Sequence, residues 1–137
     1  MADLARFHDA QKDVYETALA ELTAGEKHGH WMWFIFPQLS GLGQSPTAQF
    51  YGIADLDEAL VYMADPVLGA RYRTCCRAVV NHAGKPPEHI LGPVDTLKLR
   101  SSVTLMGRAA DVPEAQAVLD AFYDGSECPL TLNLLGS

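Results

Sequence analysis

The sequence predicts an all-α fold: a compact, single-domain bundle of about five to seven helices over residues 1–137. Three observations lead there. Apolar residues recur at intervals of three and four through several segments, and signals that start and stop helices punctuate the chain. No run alternates apolar with polar residues for long, and the one β-like stretch, Met32 to Phe36, is too short to form a sheet without partners.

Leu4, Phe7, Val14, Ala18 and Leu22 share a helical face, so one amphipathic helix is expected from Asp3, its cap, to Thr23, with Gly25 ending it. Pro37 and the loop Ser40-Gly41-Leu42-Gly43-Gln44 then break regular structure. Ser45-Pro46 has the order of an N-cap followed by a first-turn proline and opens a short helix through Phe50, Tyr51 and Ile53. Asp55 with Glu58 forms a capping box ahead of Leu60 and Tyr62. Asp65-Pro66 repeats the cap-then-proline signal before Leu68, Tyr72, Cys75, Cys76 and Val79, whose helix ends near Gly84. One turn is isolated around His89-Ile90-Leu91 by the prolines before it and by Gly92-Pro93 after it. Asp95 is read as the cap of a helix carrying Leu97, Lys98, Ser101, Ser102 and Leu105, and Pro113 opens a further helix that Gly125 closes. The tail from Pro129 to Leu135 is either a final short helix or an extended cover on the core.

Composition narrows the function. With 48% hydrophobic and 20% charged residues the chain can bury a core without staples. A net charge of −7 repels phosphate backbones, and the few Lys and Arg form no stripe, so nucleic acid is not an expected partner. Cys75, Cys76 and Cys128 have neither CxxC pairing nor zinc spacing and read as reduced structural thiols. No signal peptide and no apolar run near the about 20 residues of a membrane span is visible, so a cytoplasmic protein with no membrane partner is expected.

The segment His28-Gly29-His30-Trp31-Met32-Trp33-Phe34-Ile35-Phe36-Pro37-Gln38 holds both tryptophans of the chain. Indoles, imidazoles and a glutamine place many polar tips around one aromatic mass, which is the pattern of a binding cleft. The block His30 to Gln38 resembles, with Gly41-Leu42-Gly43-Gln44-Ser45, Tyr51, Asp65-Pro66-x-Leu68-Gly69, Asp95-x-x-Lys98-Leu99-x-Ser101-Ser102-x-Thr104-Leu105 and Thr131-Leu132-x-Leu134-Leu135, a family of small bacterial proteins known mainly as a domain of unknown function. Some members carry a calpastatin label that we take to be mistaken. The resemblance covers essentially the whole chain and implies a compact helical fold, with no activity, substrate or cofactor to carry over. Met106 departs from it, standing where a Phe commonly follows; the swap is apolar for apolar.

Each candidate has a plain structural reading beside the functional one. His28 and His30 lack a third ligand nearby, so no metal site is expected. Trp31 and Trp33 are either cleft wall or core anchors, and Gln38 needs partners from the fold or from a ligand. Ser45 caps a helix or helps receive an anion there. Lys98, Ser101 and Ser102 are neighbours on one helix, with Asp95 a ready partner for Lys98; a lysine-activated serine would also need an oxyanion hole that the sequence does not show. The preferred reading is a pocket for an anionic, nucleotide- or ADP-ribose-like small molecule, formed by His30, Trp31, Trp33, Gln38, Ser45, Tyr51, Lys98, Ser101 and Ser102. Hydrolysis or group transfer on that molecule fits better than redox, since no flavin or nicotinamide fingerprint is present and no cofactor is expected. The other class is a protein-interaction module using Trp31 and Trp33 as a hot spot, with no catalysis.

Overall fold

The computed structural model describes residues 4–136, so the Asp3 cap lies outside the described residues. Ten α-helices, rather than five to seven, run through them: α1 (Ala5–Gln11), α2 (Tyr15–Ala24), α3 (Met32–Ile35), α4 (Pro46–Phe50), α5 (Leu56–Ala64), α6 (Leu68–Val80), α7 (Pro87–Leu91), α8 (Pro93–Ala109), α9 (Pro113–Phe122) and α10 (Pro129–Leu135). The surplus comes from single turns and from one break. The helix expected from Asp3 to Thr23 is two helices, α1 and α2, because Gln11 is buried at the end of α1 and its Nε2 donates to Phe34 O at 2.7 Å and to the Tyr62 hydroxyl at 3.1 Å. The redirected chain seats both Phe7 and Leu22 in the core with no exposed surface.

Local signals place most other boundaries. Ser45 Oγ accepts from Ala48 N at 3.1 Å, and Asp65 Oδ1 accepts from Val67 N and Leu68 N at 2.9 Å each. At α5, Asp55 Oδ1 takes the Glu58 amide, while Glu58 Oε1 reaches back to Ala54 N rather than to the cap residue's own amide. Asp95 is not the cap of α8: Gly92-Pro93 both ends α7 and starts α8, so Asp95 falls in the first turn with its carboxylate free for other partners. The tail is helical.

The centre of the bundle is α8, which packs against α5, α7, α9 and α10, while α6 packs against α2, α5 and α9. Every residue from Ser101 to Met106 is buried, as a helix surrounded by others requires. Leu39 pairs with Ile53 in an isolated parallel bridge, where Ser40 N donates to Ile53 O and Ile53 N to Gln38 O, so the chain after α4 runs close along residues 38–40 in a near crossing. Gly52 permits that crossing, since a Cβ there would stand 2.4 Å from Ser40 Cα.

Candidate functional site

The α2–α3 loop starts at Gly25, whose left-handed φ of 79° ends α2. Glu21 then gathers the returning chain: its Oε1 accepts from His28 N at 2.7 Å, Gly29 N at 2.9 Å and Trp31 Nε1 at 3.0 Å. Burial alone would raise the Glu21 carboxyl, but the Gly29 and His28 amides and the indole outweigh it and hold the group below the usual carboxylate range. Lys27 is fixed from the other side, its backbone N donating to Ile90 O at 2.8 Å.

From this anchor the Lys27 side chain crosses to α8. Its ammonium donates to Gly29 O, lies 2.9 Å from Asp95 Oδ2 and stands 5.0 Å from the centroid of the Trp31 ring. Three directions are used, and the side chain is 8% exposed. One turn along α8, Lys98 Nζ lies 3.6 Å from the other oxygen of Asp95 and 4.5 Å from the Trp33 ring centroid, with its side chain 22% exposed. Two ammonium groups, each over a different indole, therefore share one carboxylate. Glu21, the other carboxylate at Trp31, takes only neutral N–H donors and keeps its charge, so the two ammonium groups and the two carboxylates balance at this corner. Among the described residues Lys98 makes no hydrogen bond; an ion pair and a ring face are all that hold it.

Of the residues expected to share a pocket, the fold brings Trp33 and Lys98 into contact and spends most of the rest elsewhere. Trp31 is core, 1% exposed. Because Trp31 begins a helical turn, the two indoles point to different faces, not to one side as an extended strand would have them. Ser102 is fully buried and shares a 2.7 Å hydrogen bond with the Tyr72 hydroxyl. Ser101 donates to Leu97 O at 3.1 Å and touches Cys128 Sγ at 3.4 Å, so both serine hydroxyls are matched within the fold. Ser45 is a cap, and Tyr51 packs among Phe7, Phe34 and Phe50. Gln38 is half-buried beside Gly43, its backbone carbonyl accepting from Ile53 N at 2.9 Å. His30 is exposed.

Sequence reasoning missed Lys27 and Glu21; it took Asp95 for the cap of α8, which is Gly92, but paired it with Lys98 as the structure does. The one available signal was local: Lys27 stands four residues before Trp31, and Asp95 three before Lys98. The thiols divide. Burial pushes Cys75 up to about 12 and Cys76 well above the ordinary thiol value. At Cys128 burial acts the same way but is outweighed by the Ser101 and Thr131 hydroxyls and the first amides of α10, which hold it low. No group of three His, Cys, Asp or Glu side chains among the described residues is placed for a metal ion, and no helix among them is long and apolar enough to cross a membrane. A cleft of about 480 Å³ opens elsewhere, between the Ser40–Gly41 turn, the start of α5 and the end of α10; none of the expected pocket residues lines it.

Residues 1–135 match a family described as a protein of unknown function, DUF1810. The chain is also similar to the conserved hypothetical protein Rv1873 from Mycobacterium tuberculosis, known from a crystal structure, at 48% identity with a TM-score of 0.95, covering 98% of this chain and 97% of that one. No curated protein matches. With the match running nearly end to end over a helical bundle of the same shape, the chain belongs to the DUF1810 family.

Proposed function

We propose that the protein binds a small anionic molecule bearing a planar ring, of the nucleotide or ADP-ribose kind, at the corner where Lys98 lies over Trp33. The observation that carries this reading is the unequal state of two lysines on one carboxylate. Lys27 is spent on Gly29 O, Asp95 and Trp31, whereas Lys98 keeps its N–H donors and sits at the surface of a protein of net charge −7. An acidic molecule that maintains a partly exposed ammonium with no hydrogen bond beside an indole presents a local anion site within an unfavourable far field. The anion draws Lys98 off the ring, and the ligand's own ring takes the face of Trp33 that it leaves. His30, exposed three residues before Trp33, adds an imidazole at the entrance.

The reading stops at binding, since Ser101 and Ser102 are committed inside the core. An interaction hot spot built on both indoles is the weaker alternative, because Trp31 is 1% exposed and leaves Trp33 alone at the surface. A thermal-shift series with AMP, ADP-ribose and inorganic phosphate tests the proposal. A ligand bound only by the folded state adds about 2.7 kcal/mol at a hundredfold excess over Kd. Stabilisation by AMP or ADP-ribose that Lys98→Ala removes is the expected result; no stabilisation by any of the three overturns it.

A further inference from the structure

The cleft of about 480 Å³ has no part in the lysine corner, and its construction is specific. The Ser40–Gly41 turn and the end of α10, almost a hundred residues apart in sequence, form two of its walls, and the start of α5 forms the third. Two glycines let these walls approach. A Cβ at Gly52 would strike the Ser40 backbone, and one at Gly41 would stand 3.2 Å from Leu134 Cδ1.

The lining combines two chemistries. Leu39, Leu56, Leu134 and Leu135 supply apolar surface, with Leu134 54% and Leu56 36% exposed toward solvent. Asp55 and Asp57 supply the charge, and no Lys, Arg or His lines the cleft. Asp55 gives one oxygen to the Glu58 amide, while Asp57 makes no ion pair or hydrogen bond among the described residues. The nearby Arg6 does not cancel this charge at the wall, as its guanidinium is directed to Glu58 and Gly52 O. The start of α5 contributes roughly half a positive charge, which two carboxylates exceed. The volume lies in the range of small-molecule sites, roughly 300–1,000 Å³.

We infer that this cleft is a second binding site, for a small protonated amine with a short aliphatic body. The ammonium sits at Asp57 and Asp55, and the hydrocarbon lies between Leu56 and Leu134. Charge complementarity selects the cation, and the leucines select an organic one over a bare ion. The site is independent of the anion reading at Lys98, so either stands if the other fails.

Amide chemical-shift titrations of the whole protein with butylammonium, ammonium and butyrate decide it. Butylammonium is expected to give saturable shifts at Gly41, Leu56, Asp57 and Leu135, with ammonium clearly weaker and butyrate inert at these amides. Asp57→Asn should weaken butylammonium about fivefold at low salt, the size of one charge contact in water. Leu134→Ser should weaken it as well while leaving ammonium unchanged. Both side chains are exposed, and the melting temperature of each variant confirms folding before titration. Absence of saturable shifts, equal response to butyrate, or wild-type affinity in both variants overturns the inference.

Discussion

The first two turns of α8 and the two turns that follow carry similar residues to opposite ends. In the middle of the helix Ser101, Ser102 and Thr104 have hydroxyls, yet each is matched by a group of the fold: Leu97 O, the Tyr72 hydroxyl and Cys128 N. At the start of the same helix Asp95 meets an ammonium at each oxygen, whereas Lys98, just as polar, has only a 3.6 Å ion pair and a ring face. Packing explains the difference. The middle is enclosed by neighbouring helices, where an unpaired polar group costs about 1–3 kcal/mol. The start lies at the edge of the bundle, where water or a ligand can complete what the protein leaves unpaired. Polar residue types therefore mark where capacity exists, and burial decides whether it has been spent inside.

The largest test of that division is Trp31→Ala. If Trp31 is core, removing it should cost about 3–5 kcal/mol in chemical denaturation, as for other buried aromatics. A change within experimental error would return Trp31 to the surface and undo the contrast with Trp33. Next in size is Ser102→Ala, which strands the Tyr72 hydroxyl and should cost about 1–3 kcal/mol. Adding Tyr72→Phe should recover much of the loss, because both halves of the bond are then gone. A double variant less stable than Ser102→Ala would mean that the pair is more than an internal match.

Smaller again is the contribution of Glu21, which appears as a pH dependence. Its carboxyl titrates lower in the folded state than in the unfolded chain, so its stabilisation is present above the unfolded value of about 4.3 and is lost as pH falls through the folded value. Glu21→Gln should flatten the stability profile on the acid side of about pH 4.3; an unchanged profile would detach the loop from this carboxylate.

What could be read from the sequence follows the same line between local and distant matching. The caps at Ser45 and Asp55, the Asp65 carboxylate that takes the Leu68 amide, and the stop at Gly25 were legible because donor and acceptor lie within four residues of one another. The break between α1 and α2 was not, since it follows from Gln11 bonding to Phe34 and Tyr62, 23 and 51 residues away. At the candidate site, Lys98 and Trp33 were named from residue type alone. Lys27 was missed because its value lies in contacts with Asp95 and the Trp31 face that no spacing rule reports. Ser101 and Ser102 were misread because a serine on a helix looks the same in sequence whether its hydroxyl faces a cleft or a buried tyrosine.

The central claim, that Lys98 is held for a ligand and not for the fold, is tested most directly by measuring ADP-ribose affinity and ligand-free stability together in Lys98→Ala. The side chain, 22% exposed, is held only by a 3.6 Å ion pair and one ring face, so its removal should leave stability within about 1 kcal/mol of wild type. Calorimetric binding of ADP-ribose should at the same time fall below detection. Binding retained at wild-type affinity, or a stability loss of several kcal/mol alongside it, would contradict the account and make Lys98 one more residue spent inside the protein.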